Sequence, residues 1–286
     1  MLLFYGVTGT LESGGTPVSV PEKDINFYDY DGTRLYSYTL AEVQNLTELP
    51  ALPSHAGLIC QGWNWTLADI KAEGKETDVG AMYITDDGKT RLYINIAAEG
   101  RMTVPLYFNQ SVANGVEVNW GDGSSAVTFN GTGNVSTSHT YSNIGEYVIT
   151  LNPLNNCILS LGQPNTNSIT VLGYTNLSNI GYLNMLQKVF LGKNITTLNG
   201  IVFYRCNLSR ITIPNGVIEI KSNSFRECYS LISIVIPKSV TTMGFPFGGC
   251  QKLKRVVLPN TLTSLDGRPF LWVFVIDTYN HTKKYN

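Results

Sequence analysis

Leu186-Gln-Lys-Val189-Phe-Leu191, Leu208-Ser-Arg-Ile211-Thr-Ile213-Pro214, Leu231-Ile-Ser-Ile234-Val-Ile236-Pro237 and Leu253-Lys-Arg-Val256-Val-Leu258-Pro259 are four versions of one phrase. Their leading leucines are spaced by 22, 23 and 22 residues. Behind each comes a second phased pair: Ile195/Leu198, Val217/Ile220, Val240/Met243 and Leu262/Leu265. A third mark, Phe-x-x-Cys, recurs as Phe203/Cys206, Phe225/Cys228 and Phe247/Cys250. A fixed period in the low twenties marks a stacked repeat. Alternate strand residues share a side, so Ile211 and Ile213 point into the coil and Thr212 points out. Proline ends the strand in three copies because it cannot donate to the next ladder position. Each fully buried Leu, Ile or Phe is worth about 1.5–3 kcal/mol, which does not offset the ordering entropy of one isolated rung. Rungs of this size are stable only when stacked.

The composite motif Ile-x-Ile-Pro-x-x-Val-x-x-Ile-x-x-x-x-Phe-x-x-Cys resembles the BspA-like leucine-rich repeats of bacterial surface and prophage proteins. The resemblance implies a solenoid over residues 154–286, with repeats over 186–265 and residues 154–185 as the cap at its start. The third copy departs from the pattern at Met243-Gly-Phe-Pro-Phe247, where one turn is expected to bend.

Upstream the pattern changes. Ile25-Asn-Phe-Tyr28 runs into the turn signal Asp29-Tyr-Asp-Gly32 and returns as Thr33-Arg-Leu-Tyr-Ser-Tyr38, which predicts a β-hairpin. Thr39 is placed to cap a helix over Leu40–Leu46, and Thr66 one over Leu67–Ala72. With Leu49-Pro50, Pro53 and Gly62-Trp63, this stretch resembles the β-grasp repeat of internalin-type surface proteins. The basic residue usual before Gly57 is absent, and Trp63-Asn-Trp65 is additional. Tyr83-Ile-Thr-Asp-Asp-Gly88 predicts a second hairpin, turning at Asp86–Lys89, that extends this module to residue 98. Similar segments occur in prophage-encoded proteins of gut bacteria.

Val116-Glu-Val-Asn-Trp120-Gly-Asp122-Gly123, His139-Thr-Tyr141 and Gly145-Glu-Tyr147-Val-Ile-Thr-Leu151 follow. They resemble a PKD domain, an immunoglobulin-like β-sandwich, here over residues 99–153. Val116, Val118 and Trp120 share one strand face, and Tyr147, Ile149 and Leu151 alternate inward. Residues 1–24 read as a leader or linker. The fold class is therefore mainly β and multidomain: a β-grasp-like module, a PKD-like sandwich and a leucine-rich-repeat solenoid.

Composition narrows the partners. At 43% hydrophobic and 14% charged residues, the chain of 286 is a folded one. A formal net charge of −1 gives no pull toward nucleic acid or an anionic membrane. No apolar run approaches the roughly 20 residues of a membrane span, and the longest, Phe270-Leu-Trp-Val-Phe-Val-Ile276, is strand-sized. Met1-Leu-Leu-Phe-Tyr5 lacks the basic start of a signal peptide. Either the protein leaves the cell by lysis or a leader precedes Met1 and is removed. Three of the five cysteines share one repeat column, where their β-carbons run parallel and fill a corner as thiols.

No catalytic chemistry can be assembled. His55, His139 and His281 are scattered, none in a zinc spacing, and no nucleophile elbow or phosphate loop is present. Asp122 and His139 belong to the PKD pattern, while Asp29/Asp31 and Asp86/Asp87 read as turn residues. No metal or cofactor is implied. One surface stands out as a candidate ligand site. Phe190, Thr212, Val235 and Val257 form an outward column, beside Lys188, Arg210, Ser233 and Arg255. An apolar column flanked by three cations is a recognition stripe, or a solvated sheet face that β-branched residues stabilise. The expected function is non-catalytic binding or adhesion, extracellular or on a virion. The resemblances imply a phage- or prophage-encoded tail protein that recognises a bacterial cell-surface protein or glycan, with the N-terminal region touching other virion proteins. The alternative is a secreted or surface-attached bacterial adhesin for host or matrix ligands.

Overall fold

The computed structural model describes residues 22–99, 102–162, 185–200 and 202–265. Residues 1–21 of the leader, 163–184 of the expected cap and Phe270–Ile276 lie outside the described residues. Strand β1 (Ile25–Tyr28) turns and returns antiparallel as β2 (Arg34–Tyr38), as the sequence predicts. The buried carboxylate of Asp29 fastens the turn, accepting from the Tyr83 hydroxyl at 2.7 Å and the Tyr30 amide at 2.8 Å. His55 Nε2 lies 2.7 Å from its other oxygen. Helix α1 (Leu40–Gln44) starts at a full capping box: Thr39 accepts from the Glu42 amide at 3.1 Å, and Glu42 accepts from the Thr39 amide at 2.6 Å. After β3 (Leu58–Trp63) comes α2 (Leu67–Glu73), capped by Thr66 and ended by Gly74 at φ +60°. Strand β4 (Thr77–Thr85) completes a four-stranded sheet in the order β2-β1-β4-β3, with β1 and β4 parallel. Ile25, Phe27, Trp63, Ile70, Val79 and Tyr83 share its core.

The next strand, β5 (Thr90–Ile96), leaves that sheet. It is followed by β6 (Thr103–Gln110), β7 (Val116–Asn119), β8 (Val127–Thr128), β9 (Gly133–Thr140), β10 (Gly145–Pro153) and β11 (Leu159–Leu161). The hairpin expected around Asp86–Lys89 does not form a ladder, because β1 and β3 already occupy both edges of β4. Strand β5 instead pairs antiparallel with β10, setting Ile94 opposite Tyr147 and Thr90 opposite Leu151. The first unit thus ends at the Asp86–Lys89 turn rather than at residue 98.

The repeats follow as β12 (Leu186–Phe190), β13 (Ile195–Leu198), β14 (Arg210–Thr212), β15 (Glu219–Ile220), β16 (Ser233–Val235), β17 (Thr242–Met243), β18 (Arg255–Val257) and β19 (Ser264–Leu265). Two sheets run from the sandwich straight into them. One has the order β14-β12-β5-β10-β7-β8, the other β19-β17-β15-β13-β11-β6-β9. Strand β12 of the first rung pairs with β5 on one sheet, and β13 pairs with β11 on the other. Trp120, Ile149, Leu159, Leu186, Ile211 and Leu262 belong to a single continuous core. The pair β16–β18 stands apart from β14 where the leucine interval lengthens to 23.

Inside the coil the columns are regular. Phe203, Phe225 and Phe247 stack with centroids 5.3 and 5.5 Å apart. The Cys228 thiol donates to the Phe203 carbonyl and the Cys250 thiol to the Phe225 carbonyl, each at 3.0 Å. All five cysteines are unbridged, and burial pushes the Cys206 thiol up to about 12. The chain bends at Phe245, within the stretch expected to bend, where the rung before it is continuous turn, yet the rungs stay in register. The Phe225 amide donates to the Pro246 carbonyl at 2.9 Å, in step with Phe203 to Ser224 at 2.8 Å one rung earlier. Gly244 permits this, since a β-carbon there would lie 2.6 Å from the Ser222 nitrogen.

Cys228→Ser is expected to cost about 1–3 kcal/mol in urea denaturation, because the smaller, more strongly hydrated hydroxyl replaces a buried thiol and keeps only the bond to the Phe203 carbonyl. Native protein should leave Cys206, Cys228 and Cys250 unlabelled by a thiol reagent at neutral pH, and rapid labelling would contradict the inward column.

Candidate functional site

The outward face of the repeat sheet is not open to solvent. Phe190, Thr212, Ser233, Val235 and Val257 are all buried, the last completely. The recognition stripe expected from the sequence is therefore corrected: the first unit covers it. A β-carbon on Gly80 of β4 would lie 2.6 Å from Val235 Cγ2, and one on Gly32 of the β1–β2 turn 2.9 Å from Ser233 Cβ. Tyr28 and Met82 pack with Val235 and Val257 in a small core of their own. Strand parity places these side chains outside the coil, but outside the coil is here inside the protein.

The flanking cations are likewise engaged. Arg255 Nη1 lies 2.5 Å from Asp78 Oδ2, and its guanidinium sits 3.9 Å from the centre of the Tyr28 ring. Lys188 Nζ lies 4.1 Å over the Tyr93 ring and 5.0 Å over Phe190. Arg210 is half-exposed and reaches Asp31 only at 4.0 Å. A polar rail from the first unit runs beside the proline-marked strand ends. Gln61 Oε1 accepts from the Asn215 amide at 2.7 Å. Asn64 donates to the Ile236 carbonyl at 3.0 Å, and Trp65 Nε1 to the Leu258 carbonyl at 2.8 Å. The sequence marks Trp63-Asn-Trp65 only as an addition to the β-grasp pattern. The available signals were a glycine inside a strand pattern, Gly80, and the split of charge. Residues 22–89 carry 12 acidic and 5 basic residues, while 202–265 carry 2 and 8. Opposite fields of this kind orient one unit on the other.

Asp122 and His139 do meet, at 2.6 Å, with His139 stacked on Trp120 at 5.0 Å between centroids. Ser124 donates to the other Asp122 oxygen at 2.6 Å, and the bonds from Ser124 and His139 hold this carboxyl well below the usual carboxylate range. The Asp stands between Ser and His, so the histidine cannot take the serine proton, and the group ties strand ends together. Among the described residues no cluster of three or more His, Cys, Asp or Glu is placed to hold a metal ion. Nor is any helix among them long and apolar enough to cross a membrane.

The turn edge of the repeats presents a different cluster. In each Phe-x-x-Cys turn the second residue after Phe takes a left-handed backbone: Arg205 at φ +57°, Glu227 at +58° and Gly249 at +77°. Glu227 is a hub. Its carboxylate accepts from Arg205 Nε at 2.5 Å, from the Tyr229 hydroxyl at 2.6 Å and from the Tyr204 hydroxyl at 3.4 Å. Arg226 Nε lies 3.4 Å away, and both guanidiniums flank the Tyr204 ring, at 5.0 and 6.0 Å. Partial burial pushes the Glu227 carboxyl up, but the bonds from Tyr229 and Arg205 more than reverse this, leaving it below its ordinary value. A left-handed backbone costs a non-glycine residue about 1–2 kcal/mol. A part-exposed ion pair returns only about 0.2–1 kcal/mol. Gly249 closes the same turn without a β-carbon, so Arg205 and Glu227 stand where glycine would adopt the backbone more readily.

Arg255→Ala, which removes the 2.5 Å pairing with the buried Asp78 carboxylate, is expected to cost about 3 kcal/mol. Arg210→Ala, on the half-exposed rim, is expected to stay within about 0.5 kcal/mol. Chemical denaturation of the two variants checks this, and equal small effects would mean that the sheet face is solvated.

Residues 167–274 match the BspA type leucine rich repeat region in six copies. No curated protein and no solved structure matches the chain. The matched span contains every rung from β12 to β19. Over residues 167–274, then, the chain is similar to BspA-type leucine-rich repeats.

Proposed function

We propose that this protein is a non-catalytic binding or adhesion protein whose repeat solenoid engages a bacterial cell-surface protein or glycan through its turn edge. The observation that carries the reading is the exposed Tyr–Arg cluster around Glu227, kept at the cost of two left-handed residues. BspA-type repeats point the same way, toward interaction or adhesion at a surface or outside the cell. Tyrosine and arginine dominate binding hot spots, and here their orientations are fixed before any partner arrives. Burial of the outward sheet column supports a site on the turns over one on the strands. In this reading the β-grasp-like unit and the PKD-like sandwich brace and present the solenoid. The motif resemblances favour a phage- or prophage-encoded, virion-associated setting.

Labelled full-length protein should bind bacterial cells saturably, and Arg226→Ala combined with Tyr229→Ala should weaken that binding about tenfold or more. The same incubation should release no sugar or peptide from purified cell wall. Release that one substitution abolishes would contradict the non-catalytic reading.

A further inference from the structure

We infer that the Glu227-centred cluster takes an anionic polysaccharide, with Arg226 and Arg205 meeting a carboxylate or sulfate group and the Tyr229 ring supporting the adjoining sugar. The inference rests on the turn edge being the binding site and adds the class of its ligand. Charge is the first argument. Two guanidiniums share one carboxylate at this edge, and the neighbouring rung adds exposed Lys252 and Lys254. The Lys254 amide donates to the Ile232 carbonyl at 2.9 Å, which puts that cation on the adjacent rung of the same stack. A guanidinium fork matches the paired oxygens of carboxylate and sulfate.

The backbone supplies the second argument. The Arg205 amide donates to the Arg226 carbonyl at 2.9 Å, and the Glu227 amide to the Gly248 carbonyl at 2.8 Å. These turn groups are already committed to neighbouring rungs, so an extended peptide finds no strand edge to pair with. Recognition falls to side chains, through fixed ring surfaces and guanidiniums. Tyr229 is 40% exposed while its hydroxyl is tethered to Glu227 at 2.6 Å. A sugar laid on that ring orders nothing that is not already ordered. Rungs repeat about every 4.8 Å along the stack. A polysaccharide advances by a similar step per sugar, so anionic groups on alternate sugars can meet alternate rungs. Glu227 acts as a positioning residue, setting two arginines and two tyrosines without needing to touch the ligand.

The test uses the full chain over immobilised hyaluronan and chondroitin sulfate, with dextran as the neutral polymer and polyglutamate as the acidic peptide. Binding to either acidic polysaccharide is expected, weakened by added salt and about tenfold weaker for Arg226→Ala, whose melting temperature should not move. Glu227→Gly separates recognition from stability: it relieves the left-handed strain, so its melting temperature should hold or rise while binding falls. A lowered melting temperature with unchanged binding would make the cluster structural and overturn the inference. Equal binding to polyglutamate would reduce it to bare charge, and equal binding to dextran would remove the anionic requirement; either overturns it. Attachment to bacterial cells without affinity for any acidic polysaccharide would overturn the ligand class and leave the binding role standing. Loss of both would remove the role itself.

Discussion

Gly80 has no side chain, and strand β4 can therefore lie directly against Val235. Most of the molecule's arrangement depends on that approach. Val79, Ala81 and Tyr83 on one side of β4 fill the core of the first unit. Asp78, Gly80 and Met82 on the other side meet the repeats. A strand buried on both faces needs a surface to lie on, and the repeat sheet needs a cover for Phe190, Val235 and Val257. Each requirement meets the other. Prolines 237 and 259 end their strands, and the carbonyls just before them accept from Asn64 and Trp65. Leaving such groups buried and unpaired would cost more than the contact gains.

The same logic of filled edges joins the sandwich to the stack. Because β4 has no free edge, β5 is released to pair with β10 on one side and β12 on the other. A repeat stack exposes apolar residues at its first rung unless something closes it. Here a two-sheet sandwich does so, each of its sheets continuing into one line of repeat strands. With one sheet face covered and the first rung closed, the turn edge is where side chains remain both exposed and fixed in place. Arg205 and Glu227 hold strained backbone there, and the functional reading follows from that placement.

Much of this was legible in the residues. The leucine period, the Phe-x-x-Cys column, the hairpin through Asp29–Gly32 and the capping threonines Thr39 and Thr66 all encode local geometry or strict phase. The structure keeps them. What failed was of another kind. Parity tells which way Val235 leaves a strand but not what lies beyond it, and strand β4 of the first unit lies beyond it. The turn at Asp86–Lys89 reads as a hairpin because its signal is local, whereas the occupied edges of β4 are not. The cluster around Glu227 was missed because a left-handed backbone is written only weakly in non-glycine residues. Gly249 in the same column was its one trace.

Burial of the outward repeat column is the claim on which the account stands, and site-specific thiol labelling tests it most directly. Thr212→Cys places a thiol under the first unit, while Thr242→Cys places one on the opposite, exposed sheet. Peptide mapping after brief labelling of native protein separates each from the five natural cysteines. Position 242 should react rapidly and position 212 only on unfolding. Equally rapid reaction at both positions in folded protein would contradict it.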